Sequence, residues 1–151
     1  MTETHTSDPA ATAHRAAGTA ARTPARTEAP ASHAAVNVAA CLARFSDHWA
    51  QRTIAAVNDY EVKVAKLQGE FVWHRHDDTD ELFLVVSGRL TIQLRDGDVV
   101  LGPGELYVVP RGAEHCPRAE EETAVVLLEP AGTSNTGSAG GPRTKAPVAL
   151  D

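Results

Sequence analysis

The chain is short of the features that secreted scaffolds, membrane spans and nucleic-acid binders rely on. It has two cysteines, Cys41 and Cys116, among 151 residues. Two thiols cannot staple a scaffold of this size, so reduced cysteines and a cytoplasmic location are expected. Basic residues are outnumbered, 14 Lys and Arg against 20 Asp and Glu, giving a net charge of −6. No basic stripe offers an electrostatic footprint for nucleic acid, so no nucleic-acid partner is expected. No apolar run approaches the roughly 18 residues that a membrane span needs, and no membrane partner is expected either. The N-terminus also lacks the apolar core of a secretory signal, and the acids Glu3, Asp8 and Glu28 argue against a transit peptide.

Residues 1–35 lack Leu, Ile, Val and every aromatic, and hold twelve alanines. Such a stretch buries too little apolar surface to offset the entropy of ordering it, so it reads as a disordered tail. Its three acids and three arginines cancel, which assigns the whole negative charge to residues 36–151. His5, His14 and His33 are scattered within it at no shared spacing.

From residue 36 to 58 the pattern turns helical. Val38, Leu42, Phe45 and Trp49 recur at intervals of four, three and four, Asn37 is a suitable N-cap, and Asn58-Asp59 stops the run. An amphipathic helix packed on the outside of the next domain is expected, with a homodimer interface as the sharper alternative. From residue 59 to 131 short apolar runs alternate with turns. The runs are 60–67, 70–76, 82–87, 90–95, 99–101, 106–109 and 123–129, and Asp96-Gly97 is a hairpin signal. So many short strands with no helical period between them predict an all-β sandwich or barrel of jelly-roll type. Residues 132–151 are rich in Gly and Ser. No lysine follows at the spacing of a phosphate loop, so a return loop fading into a flexible tail is expected.

The chemistry is concentrated in one pattern. His74 and His76 stand two apart, Glu81 follows five residues later, and His115 arrives after the turn Pro110-Arg111-Gly112. Residues two apart on a strand share a face, so the two imidazoles can aim at one point, with Glu81 and His115 approaching from neighbouring turns. Three imidazoles and a carboxylate suit one divalent ion of Fe, Mn, Ni, Cu or Zn and leave positions for a small polar molecule. Asp77, Asp78 and Asp80 read as solvated turn residues. Phe71, Trp73, Tyr60, Phe83 and Tyr107 are candidate pocket walls that serve equally as core. Strand parity turns Trp73 away from His74 and Cys116 away from His115, and places Glu70 on the same side as His74.

The spacing of this pattern resembles the cupin superfamily. Gly69, four residues, His74-Arg75-His76, four residues, Glu81, six residues and Gly88 are similar to its first motif. Gly104, five residues, Pro110-Arg111-Gly112, two residues and His115 are similar to its second, with fifteen residues between the two motifs. The interval after Gly69 is one residue short, and Ala119 stands where the second motif usually has Asn. The resemblance covers roughly residues 60–130 and is closest to small single-domain bacterial cupins, often labelled mannose-6-phosphate isomerase-like. It implies a double-stranded β-helix barrel with His74, His76, Glu81 and His115 as metal ligands. Three roles fit such a chain: a metalloenzyme of oxygenase, isomerase or lyase type, a binding or sensing module, and a structural metal barrel.

Overall fold

The computed structural model describes residues 34–150. All but the last two residues of the Ala-rich segment 1–35, with His5, His14 and His33, lie outside the described residues. One short helix, α1 (Val38–Leu42), precedes eight strands: β1 (Arg52–Val57), β2 (Tyr60–Glu70), β3 (Glu81–Ser87), β4 (Leu90–Leu94), β5 (Val99–Leu101), β6 (Leu106–Val109), β7 (His115–Pro130) and β8 (Val148–Ala149). The domain is a jelly-roll barrel.

β7 is its spine. Along one side it pairs antiparallel with β2, from Tyr60↔Pro130 to Glu70↔Arg118. Along the other it pairs first with β4, through Leu94↔His115 to Thr91↔Arg118, and then with β3, through Ser87↔Ala124 to Leu82↔Leu128. β6 extends β3, and β5 extends β4. The inward face of this ladder packs Ala65, Leu67, Phe83, Val85, Leu90, Ile92, Leu101, Val109, Val125 and Leu127 into one core. Alternate residues of each strand supply it, as the two-residue period of a half-buried strand requires.

The helix expected over 36–58 is only five residues long. Asn37 caps it as the sequence predicts, its Oδ1 accepting from Ala40 N at 2.9 Å. Val38, Leu42 and Phe45 pack on Val64 and Ala124 outside the barrel. Beyond Phe45 the chain is claimed by β2 instead. Thr53, Ile54 and Val57 are β-branched, and the ladder from Arg52↔Val64 to Val57↔Tyr60 satisfies backbone groups that a lone helix end would leave open. Asn58-Asp59 is therefore a two-residue hairpin turn and not a helix stop. Asn58 takes φ +55°, a left-handed conformation that asparagine tolerates better than most residues.

The strand expected over 70–76 is also interrupted. β2 ends at Glu70, and His74 rejoins the barrel through a single bridge to His115. The C-terminal segment is docked, which corrects the flexible tail expected there. β8 pairs parallel with β1. Asn135 donates through Nδ2 to Arg143 O at 3.0 Å and accepts from Lys145 N at 2.8 Å, while Thr136 Oγ1 meets Thr144 Oγ1 at 2.7 Å.

Gly88 turns the chain from β3 into β4 at φ +85°, and a Cβ there would stand 2.5 Å from Thr123 Oγ1 and 2.9 Å from Thr123 Cα. Thr123 Oγ1 cannot yield freely, because it accepts from Arg89 N at 3.1 Å and donates to Arg89 O at 3.0 Å. Gly88→Ala is expected to destabilise the barrel by about 1–3 kcal/mol, from backbone strain and overpacking together. Urea unfolding checks this, and an unchanged midpoint would refute it.

Candidate metal centre

The four residues singled out in the sequence meet inside the barrel. His74, His76, Glu81 and His115 are all buried, and one ligand atom from each lies within 4.8 Å of the others. His74 and His115 are fixed by a reciprocal backbone pair, His74 N donating to His115 O at 3.0 Å and His115 N to His74 O at 2.9 Å. The next two carbonyls are fixed as well, Arg75 O by Ser138 N at 2.9 Å and His76 O by Gly112 N at 2.7 Å. Three consecutive carbonyls thus anchor on three different segments, which holds His74 and His76 in place without a regular strand. Glu81 opens β3, paired with Val109 of β6.

The rings are oriented by their own backbone. His74 Nδ1 lies 2.9 Å from Val72 O, and His115 Nδ1 lies 3.0 Å from Ala113 O. A carbonyl only accepts, so Nδ1 carries the hydrogen in both rings and Nε2 keeps a free lone pair. Glu81 Oε2 sits between two of the rings, 3.1 Å from His115 Nε2 and 3.3 Å from His76 Nε2. The Nε2 atoms of His74 and His76 are buried without a hydrogen-bond partner. Two unpartnered imidazole nitrogens beside a buried carboxylate are what a cation would satisfy, so this three-histidine, one-glutamate group could hold a divalent metal ion.

Charge at the site follows from burial and pairing. Burial, with His115 adding to it, lowers His74 to about 4, so this ring is neutral at ordinary pH. Burial also works against the charged form of Glu81, but the His115 and His76 imidazoles beside it outweigh that and hold the carboxyl at about 2. For His76 burial is again the largest influence and lowers the pKa, yet the adjacent Glu81 carboxylate, 3.3 Å away, leaves it net raised.

A small cavity leads to His74 and Glu81. Trp49, Leu67, Phe71, Phe83 and Leu127 form apolar walls, and Gln51 and Asn135 supply amides. Of the aromatics proposed from sequence, Phe71 and Phe83 line the cavity. Trp73 turns outward under the Arg95 guanidinium, 3.8 Å from its ring centroid, Tyr60 is exposed, and Tyr107 packs beside the core. Glu70 is exposed and accepts from Gln93 Nε2 at 3.2 Å, so it contributes nothing to the site. Cys116 is fully buried, and burial raises its thiol to about 11, which makes it an inert core residue. Asp77 pairs with Arg75, and Asp80 accepts from Arg111 N at 2.8 Å, so both serve turns.

The sequence did not mark Trp49, Gln51 or Asn135 as site residues. Trp49 stacks on Phe71 at 4.6 Å between centroids. Its position on the apparent helical stripe concealed it, and neither amide belongs to the metal-ligand pattern.

The family model described as a cupin domain matches residues 60–129. A crystal structure of a cupin-2 domain containing protein from Shewanella frigidimarina is 47% identical, covers 63% of this chain and 93% of that chain, and superposes with a TM-score of 0.62. This chain belongs to the cupin family. The uncharacterized protein YdbB of Bacillus subtilis is 34% identical over 94 residues, 62% of this cupin and 83% of the relative. A crystal structure of a Neisseria meningitidis protein, 28% identical, covers 64% of this cupin and 99% of that chain with a TM-score of 0.60. The two departures from the motif leave the four residues together. Gly69 pairs with Ala119 beside a register shift in the β2–β7 ladder, and Ala119 is buried in the core where the family's usual amide would need partners.

Among the described residues no helix is long and apolar enough to cross a membrane.

Proposed function

We propose that this cupin is a mononuclear metalloenzyme acting on a small oxygen-bearing molecule, with His74, His76, Glu81 and His115 as the ligands. One observation carries the reading: four buried donor atoms converge, and two of them are imidazole nitrogens with no hydrogen-bond partner. A bound divalent ion would act as a Lewis acid, polarising an oxygen of the substrate. The chain's own part is to present neutral imidazoles through the Val72 and Ala113 carbonyls. Glu81 offsets part of the ion's charge, and the walls of Trp49, Phe71 and Phe83 exclude water.

A second reading, a binding or sensing module without turnover, is favoured by the lining of the cavity. Apart from His74 and Glu81, both assigned to the metal, no titratable side chain lines it. A proton-transfer step would therefore have no free side chain to serve it within the cavity. Product formation with candidate small oxygenated substrates separates the two readings.

Metal analysis of the purified protein tests the site itself. The wild type is expected to hold close to one ion per chain of Fe, Mn, Ni, Cu or Zn. His76→Ala and His115→Ala are each expected to lose most of it, since a lost ligand weakens affinity by at least the roughly 10–100-fold seen for lost outer partners. Full metal content in both variants would overturn the proposal.

A further inference from the structure

The metal reading leaves one buried polar group of the cavity without a use. Gln51 is only 6% exposed, lines the cavity beside His74 and Glu81, and its Oε1 has no hydrogen-bond partner. Native structures leave few such atoms unpaired, and those they leave call for an explanation.

The backbone around Gln51 is held firmly, so its amide is not a loose surface group. Gln51 O accepts from Val148 N at 3.2 Å. Two residues earlier, Trp49 takes φ +58°, a sparsely populated conformation for a bulky side chain. It is held there by Trp49 N donating to Lys66 O at 2.9 Å and by its indole Nε1 donating to Gln68 O at 2.9 Å. Asn135 Nδ2 donates to Trp49 O at 3.4 Å from a third direction. Strained backbone of this kind persists only where the surroundings fix it, and it clusters at ligand sites.

We propose that Gln51 orients the ligand of this cavity, and that the ligand is a compact, mainly apolar carboxylic acid carrying one hydroxyl group. The inference rests on the metal reading. Three neutral imidazoles and one carboxylate leave a divalent ion with a net charge of about +1, which attracts an anionic oxygen. No Lys or Arg lines the cavity, so the ion is the sole cation there to receive a carboxylate. The walls of Trp49, Leu67, Phe71, Phe83 and Leu127 take an apolar body. The orphaned Gln51 Oε1 then accepts from the hydroxyl, which can also receive the amide N–H if the group is rotated.

Calorimetric titration of the full chain, loaded with the ion that metal analysis finds, tests this. The probes are isosteric pairs differing only in hydroxyl against methyl: 3-hydroxypropanoate and butanoate, 4-hydroxybutanoate and pentanoate, 5-hydroxypentanoate and hexanoate. At one chain length the hydroxy acid is expected to bind about tenfold tighter than its isostere. Gln51→Met is expected to abolish that preference with metal content unchanged. Gln51→Asn is expected to move it to a longer hydroxy acid, a shift that a merely structural role would not produce. Loaded wild type with no preference at any length, or a preference that survives in Gln51→Met, overturns this inference and leaves the metal reading standing. A chain that takes up no ion overturns both.

Discussion

Lys63→Met is expected to destabilise the barrel by about 3–5 kcal/mol, the cost of breaking a buried ion pair from one side. Lys63 and Glu129 are both fully buried, with Nζ 2.9 Å from Oε1, and Glu61 Oε2 lies 3.4 Å from the same ammonium. The Oε2 atoms of Glu129 and Glu61 have no hydrogen-bond partner, so Lys63 is the main compensation for two carboxylates in the wall of the barrel. Burial, reinforced by the charge on Glu81, pushes Glu129 up to about 7 even with Lys63 opposing. A raised carboxyl pKa means that the folded state holds this proton more tightly than the unfolded chain. The contribution of Glu129 to stability is therefore full below about pH 4.5 and is lost as pH rises through 7. Removing the lysine leaves the carboxylate uncompensated, whereas the double variant Lys63→Met/Glu129→Leu removes both charges and is expected to recover most of the loss. Urea unfolding at constant m-value measures both. A single-variant loss below about 1 kcal/mol, or a double variant no better than the single, would show that the pair is not the compensation described.

Stripping metal from the site is expected to lower stability by a comparable amount. An ion present at a thousand times its dissociation constant stabilises the folded state by about 4 kcal/mol. For a domain of this size that corresponds to roughly 12–20 °C in Tm. The ion would tie the 74–76 segment, β3 and β7 together, so chelation should loosen all three. The effect is expected to fade in acid, and His76 sets the window. Its pKa is raised above 6.5, so below that value the incoming ion must first displace its proton. Apparent affinity then falls about tenfold per pH unit, or about 1.4 kcal/mol of stabilisation per unit. His74 at about 4 and Glu81 at about 2 do not compete for protons until pH is far lower. Thermal melts with and without chelator, repeated from pH 8 to 5, check both statements. A chelator-insensitive Tm that no divalent ion raises would count decisively against the site.

The strands and the convergence of the four residues were legible in the sequence because each rests on short-range rules. β5 and β6 have the expected bounds, since turn residues punctuate short apolar runs on either side of them. His74, His76, Glu81 and His115 were legible because their spacing is a motif. The false helix shows where such rules fail. Intervals of four, three and four over Val38, Leu42, Phe45 and Trp49 fit one helical face. Here, however, the first three pack outside the barrel on Val64 and Ala124, while Trp49 reaches the cavity through a left-handed backbone. Pairing of β1 with β2 overrode local periodicity, as tertiary context often does. Lys63 and Glu129 were invisible for the opposite reason. Each reads as an ordinary polar residue on a strand, and only the register placing both inside the wall makes them a pair. Gln51 carries no pattern, and its significance, like that of Asn135 at the cavity, depends on contacts across the chain.

Those long-distance contacts also bear on when the cavity comes into being. Asn135 reaches Trp49 across 86 residues, and β8 meets the strand that follows Gln51. Pairings this distant in sequence are slow to form, because the intervening loop must close before any contact compensates for it. During synthesis β1 can pair with β2, β4 with β5 and β3 with β6 before β7 joins them, but the rim that presents Gln51 waits for residues 135–149. A chain paused between β7 and β8 would already hold all four residues of the candidate metal site and still have an unfinished mouth. If the proposed metal and ligand readings hold, ion capture would precede ligand selectivity in the life of each molecule.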